Sequence, residues 1–386
     1  MSRHAKSDPR WRSDASGEVV AGCVGRLVPA LPPGSRVLVA GEASAPLLAA
    51  LAEIGCTPHL WLRRLGPDSA GTTPRPWPEP AACAAAILRL PRAKDEFDMM
   101  LHAAVTQVVP GGAIVVHGAN DEGIRSIAVR MAQLLGRAET LDSRGHCRVL
   151  GATRPAEVVG LRGQLADWRQ EGRATIDPPG QPAERVWVSY PGLFAKGALD
   201  AGTGLLVSTL DGLVGPRACP AERPRVLDFG CGTGLVAAHV LARRPGAKVD
   251  MVDVDAMAVL AAAENVPQAS ANIAAAVDDL APARYDLIVS NPPIHAGRGE
   301  DYTVLARLIT QSGLRLEPRG SLVLVVQARV PVEPWLAAAF AHAERLAETT
   351  RFIVWRASQP SRGKPARGEA ITARRGRSNA APARAR

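Results

Sequence analysis

The chain has 386 residues, 47% of them apolar, and a formal net charge of +9, a length that suggests two or three domains at roughly 150 residues each. No apolar run approaches the roughly 20 residues of a membrane span, and the opening MSRHAKSDPRWRSD lacks the apolar core of a signal peptide. Six scattered cysteines (Cys23, Cys56, Cys83, Cys147, Cys219, Cys231) without a C-x-x-C pair argue against a metal site and a disulfide framework, so a cytoplasmic protein with reduced thiols, no metal and no membrane contact is expected.

The first strand–turn–helix pattern is SRVLVAGEASAPLLAAL, residues 35–51. AAILRLPRAK (85–94) reads as a second buried strand, and VVPGGAIVVHGAND (108–121) as a late turn and strand. All three patterns return: PRVLDFGCGTGLVAAHV (224–240), the strand ending before Asn291, and RLEPRGSLVLVVQ (315–327). An internal repeat means two copies of one α/β unit. In that register Val39 replaces Asp228, Ala43 replaces Gly232 and Leu90 replaces Asn291, so residues 25–152 form a copy without the polar groups of a site. EGRATIDPPGQPAERV (171–186) is polar and proline-rich and reads as the linker, with residues 153–170 belonging to the connection.

The second copy, 185–358, opens with YPGLFAKGALDAGTG (190–204) and holds the strongest local signal, RVLDFGCGTGLVAAHVLARRPGAKVDMVDVD (225–255). Arg225 to Phe229 reads as a strand, Gly230, Gly232 and Gly234 as a tight turn, Leu235 to Ala242 as a helix, and Lys248 to Asp253 as the next strand. Glycines let a backbone approach a ligand closely, and an acid at the tip of the second strand can accept hydrogen bonds from ribose hydroxyls. A nucleoside-containing cofactor follows. The G-x-G-x-G spacing is not the dinucleotide fingerprint, and Asp228 before the turn would repel a pyrophosphate but suit a cationic amino-acid end.

After a turn at Val277-Asp278-Asp279-Leu280, YDLIVSNPPIHAG (285–297) is a buried strand stopped by Asn291, Pro292 and Pro293. Two prolines cannot continue a central strand. As the fourth strand of its copy it ends at the crevice where α/β sheets bind ligands. The Asn291 amide and the carbonyls freed by the prolines can accept hydrogens from an exocyclic amine. The tail, 359–386, is rich in Gly, Pro, Ala and Ser. Within it, residues 361–386 carry eight Lys or Arg against one acid, Glu369. It is expected to be disordered and to neutralise phosphates.

D-x-G-C-G-T-G resembles the first motif of class I methyltransferases, which implies S-adenosylmethionine, and N-P-P resembles the [ND]-P-P-[YFW] motif of amino-group methyltransferases. FAKGALDAGTGLLVSTL (194–210), LDFGCGTG (227–234), NPPIHAG (291–297) and the upstream HGANDEGIRS (117–126) together resemble bacterial ribosomal-RNA guanine-N2 methyltransferases of the RsmC type, over about residues 30 to 357. Ile294 departs from the aromatic residue usual there. The resemblance implies two tandem Rossmann-like class I methyltransferase domains, the N-terminal one degenerate and cofactor-free. It also implies action on the N2 amine of a guanine in small-subunit rRNA, as naked RNA or in the ribosomal subunit; a monomer is expected. Asn291, Pro292 and Pro293 are then catalytic candidates. Asp228, Gly230, Gly232, Asp253, Asp278 and Asn291 are cofactor candidates, with Phe194, Lys196 and Thr203 in the covering segment, and Ile294 and His295 lie beside the target base. Large-subunit rRNA, another RNA or a protein remain alternative substrates, and an RNA-binding scaffold with a vestigial pocket is the non-enzymatic alternative.

Overall fold

The computed structural model describes residues 9–27, 31–66, 69, 71–176, 183–193, 200–215, 217, 219–292 and 302–361. After helix α1 (Pro9–Leu27) the first half runs β1 (Arg36–Ala40), α2 (Ala45–Glu53), β2 (Thr57–Trp61), β3 (Cys83–Arg89), α3 (Lys94–Gln107), β4 (Val108–Ala119), α4 (Ile124–Leu135), β5 (Glu139–Arg144) and β6 (Cys147–Thr153). Its sheet order is β2-β1-β3-β4-β6-β5. A hairpin of β7 (Gln170–Ile176) and β8 (Ala183–Ser189) follows, then α5 (Ala201–Leu210), β9 (Arg225–Phe229), α6 (Leu235–Arg243), β10 (Lys248–Asp253), α7 (Ala256–Asn265) and β11 (Ser270–Ile273). The last described elements are β12 (Tyr285–Ser290), α8 (Thr303–Arg315), β13 (Leu316–Gln327), α9 (Glu333–Ala339), β14 (Phe340–Glu348) and β15 (Phe352–Pro360). The second sheet is ordered β11-β10-β9-β12-β13-β15-β14.

The central strands are parallel and read as near-continuous apolar runs because both faces are covered. Leu38, Leu88 and Val116 pack on one face of the first sheet, Val37, Val39 and Ile87 on the other. Leu227, Ile288 and Leu324 face one way in the second sheet, Val226, Val289 and Val325 the other.

The repeat is visible in the ladders. Cys83 faces Val108 but Ala85 faces Ala113; likewise Tyr285 faces Leu316 but Leu287 faces Ser321. The same irregularity sits at the same place in both copies. The ladders also correct one register. Ala40 pairs with Leu88 where Phe229 pairs with Ser290, so Arg89, not Leu90, occupies the place of Asn291. Aligning the two copies by their prolines slips the match by one residue.

The stretch expected as a linker is instead strand: Gln170–Ile176 pairs antiparallel with Ala183–Ser189. Its alternating side chains suit a hairpin, and the Pro/Gly-rich part lies in 177–182, outside the described residues. Likewise β15 and Ser361, whose N–H donates to Ala339, are ordered where the tail was expected to begin; residues 362–386 lie outside the described residues.

The halves meet across a local pseudo-two-fold. Trp61 is to Ala40 what Val252 is to Phe229, which makes Arg64 and Asp255 equivalent, and these two form an antiparallel bridge. Leu65 N–H donates to Val254 and Ala256 N–H to Arg63, both at 2.9 Å. Beside the bridge Met99, Trp168, Val188, Tyr190, Met257 and Ala261 form a joint apolar cluster.

Candidate active site

The glycine turn begins where β9 stops. Gly230, Gly232 and Gly234 have φ of +74°, +53° and +88°, a region side chains with a Cβ rarely enter. A Cβ on Gly232 would meet nothing within 4 Å, and one on Gly230 would face only the Asn291 carbonyl at 3.9 Å, whereas at Gly234 it would press on Val266 at 3.0 Å. The first two leave an open face, and the third lets α7 pack close. Gly230 and Cys231 N–H both donate to Val252, tying the turn to β10.

Asp228 lies beneath this turn, 2% exposed, and accepts from Ala237 N–H at 3.1 Å. Its carboxylate therefore anchors α6 to β9. Burial, with Asp253 nearby, pushes its carboxyl up to about 7. Asp253, partly exposed at the end of β10, accepts from Gly232 N–H and Asp255 N–H, each at 3.0 Å. Burial raises its carboxyl as well. Asp278 sits in a short 3-10 turn, where Gln311 Nε2 donates to it at 2.6 Å and Arg315 stands 3.7 Å away. It is held towards α8, and none of these bonds reaches the glycine turn.

At the end of β12, buried Ser290 donates to Phe229 O at 2.7 Å, and Asn291 Nδ2 donates to Thr203 Oγ1 at 2.9 Å. Thr203, on the first turn of α5, donates in turn to Asp200. Asp200 caps α5, accepting from Gly202 N–H at 2.9 Å and Thr203 N–H at 3.3 Å. Asn291, Thr203 and the glycine turn thus meet at the carboxyl ends of β9 and β12, between strands whose crossovers run opposite ways. Pro292 is buried. Pro293, Ile294, His295, Phe194 and Lys196 lie outside the described residues.

The outer side of the turn is clamped by groups that no sequence pattern announced. Trp187 Nε1 donates to Thr233 Oγ1 at 3.0 Å, and Asn265 Nδ2 donates to Thr233 O at 3.0 Å. Asn265 also pairs with both backbone groups of Val188. Asp200 had a signal, an acid one residue before a helix start; the Trp187 and Asn265 contacts had none.

In the first half the corresponding place is filled. Arg89, 9% exposed, pairs with Glu122 at 2.7 Å and with Glu42, in the loop after β1, at 3.6 Å. Among the described residues no three His, Cys, Asp or Glu side chains gather as a metal site, and no helix is long and apolar enough to cross a membrane. The six cysteines are buried free thiols.

Comparison with known proteins adds the following. The family profile "Methyltransferase small domain" matches residues 184–356, and "Methyltransferase small domain N-terminal" matches residues 33–169. The chain is 32% identical over 287 residues to the ribosomal RNA small subunit methyltransferase C of Pseudomonas entomophila, covering 71% of this chain and 79% of that protein. It is 32% identical over 293 residues to that of Pseudomonas putida, covering 72% and 81%. The fold is that of the T. thermophilus 16S rRNA N2 methyltransferase (RsmC), solved with AdoMet and guanosine: TM-score 0.70 over 90% of this chain and 92% of that one, at 23% identity.

Proposed function

Because the chain belongs to the ribosomal RNA small subunit methyltransferase C family, we propose that it transfers a methyl group to the exocyclic N2 amine of a guanine in 16S rRNA. It is an S-adenosylmethionine-dependent methyltransferase. When bound, S-adenosylmethionine supplies an electrophilic methyl group on its sulfonium.

The residues fit that cofactor: the face at Gly232 is open to a ligand, and acids lie beside and beneath it. Asp253 keeps lone pairs for the ribose hydroxyls beyond its two backbone bonds. Asp228, buried under the turn, lends negative potential to a cationic ligand in its ionised form, which the ligand's own charge favours. Asp278, bonded to Gln311 of α8, is a cofactor candidate by its place in the sequence. Asn291 Oδ1 and the carbonyls at Asn291 and Pro292 accept the two amine hydrogens, which aims the nitrogen lone pair at the methyl group. As the N–C bond forms and the C–S bond breaks, the surplus proton leaves to solvent. Positioning supplies much of the rate. Pro293, Ile294 and His295 follow Asn291 in the sequence and are the candidates for the base side of the site. Residues 185–358 carry the reaction, while 25–152, its crevice filled by Arg89 and its glutamates, binds no cofactor. The protein works in the cytoplasm as a monomer, on naked rRNA or on the small subunit.

The observation that carries this reading is the meeting of Asn291 with the glycine turn, its carbonyl 3.9 Å from the Cβ position of Gly230. The test is nucleoside mass spectrometry of 16S rRNA from a strain lacking the gene. N2-methylguanosine should fall, and should return with the wild-type chain but not with Asn291→Ala. An unchanged level in the deletion strain overturns the reading.

A further inference from the structure

The hydrogen bonds around Asn291 have a direction. An ionised Asp200 only accepts. It takes the Thr203 hydroxyl proton on one oxygen and the Gly202 and Thr203 amides on the other. The start of α5, with its unsatisfied N–H groups, favours that negative charge. With its one proton committed, Thr203 Oγ1 can only accept from Asn291. The amide nitrogen must therefore face Thr203, where it lies at 2.9 Å, and Oδ1 must face away.

We propose that Thr203 and Asp200 are positioning residues for methyl transfer, and that their fixed hydrogen-bond polarity holds the Asn291 amide with its oxygen towards the incoming amine. This rests on Asn291 being the amine acceptor. It also explains why this chain uses Asn where the resembling motif admits Asp. An aspartate at 291 would turn an oxygen towards a hydroxyl whose proton is already taken, with a second carboxylate just behind it. Like charges sharing a site disfavour ionisation of both. Asp200→Asn would reverse the polarity: the cap oxygen stays, and an NH2 group replaces the oxygen that accepted from Thr203. The Thr203 proton is then released towards position 291. Asn is as good an N-cap as Asp, so α5 is retained.

The test measures single-turnover methylation of 16S rRNA at saturating S-adenosylmethionine, S-adenosylhomocysteine affinity by calorimetry, and thermal melting. Thr203→Val should lower turnover by about tenfold or more while cofactor affinity stays within about threefold. Thr203→Ser, which keeps the hydroxyl, should retain most of the rate. Asp200→Asn and Asn291→Asp should each lose about tenfold or more, and the double variant should recover about tenfold over Asn291→Asp. A Thr203→Val enzyme within about threefold of wild type, beside an inactive Asn291→Ala, overturns the positioning role and leaves the amine-acceptor role standing. Absence of recovery in the double variant, with its melt unchanged, overturns the polarity. If Asn291→Ala itself keeps its rate, the amine-acceptor reading fails and this proposal with it.

Discussion

Removing the Asn291 amide is expected to abolish methyl transfer while cofactor binding survives, because an amine acceptor matters most as the nitrogen gains positive charge. Single-turnover rates should fall on the order of a hundredfold or more. Asp253→Ala should weaken cofactor binding by about 1–3 kcal/mol through lost hydrogen bonds, as read by calorimetry. Asp228 makes a pH prediction. Burial raises its folded-state carboxyl from 3.8 to about 7, so the folded chain holds a proton that the unfolded chain releases. The stability it contributes is full below 3.8 and is lost as pH rises through about 7, with a slope of at most about 1.4 kcal/mol per pH unit. Urea unfolding of apo Asp228→Asn should lack that part of the decline. Asp228, Gly230, Gly232 and Asp253 were legible in the sequence because one strand and one turn fix them locally. Asp228 was read as facing the cofactor, however, and only packing shows its carboxylate bound to Ala237. Asn265 meets Thr233 across 32 residues of chain, and no local pattern encodes such a contact.

The β7–β8 hairpin does more than join the halves. Through Trp187 and Val188 it grips Thr233 and Asn265, and so stiffens the glycine turn from outside. Asn265→Ala should leave Thr233 O and the Val188 N–H unpaired in a part-buried place, costing about 1–3 kcal/mol. Because the turn forms the proposed cofactor face, the loss should appear as weaker S-adenosylhomocysteine binding together with a lower melting temperature; unchanged affinity would separate the clamp from the site. The strands flanking the glycines were readable as apolar runs. The hairpin was not, because its exposed, charged residues look like linker until the two strands are seen paired. The Arg89 register was missed for a related reason. A proline marks where a strand stops, but the ladder decides which residue faces which.

Across the whole molecule, the seam between halves concentrates charge. Arg63, 5% exposed, donates to Asp255 and to Pro191 O, both at 2.7 Å, and lies 3.4 Å from Glu96. Arg64 pairs with Glu96 at 2.5 Å and with Asp255 at 2.9 Å. Asp255 caps α7 and lends its own N–H to Asp253, so the first half reaches the proposed cofactor acid through one residue. Arg63→Ala would leave buried carboxylates undercompensated, and should destabilise the chain by about 3–5 kcal/mol in urea unfolding. Added salt should restore little of it, since buried pairs are weakly screened.

The near-symmetry of that seam carries a further consequence. Where two identical units meet on a true two-fold, a residue on the axis confronts its own twin. Two first halves joined this way would set Arg64 against Arg64, and two second halves Asp255 against Asp255, and both encounters are repulsive. Only the mixed encounter is attractive. A chain built from two similar units risks joining end to end with its neighbours, unit to like unit, into open polymers. Opposite charges at the axis make each unit prefer the partner fused to it over its own likeness, and the seam closes within one chain.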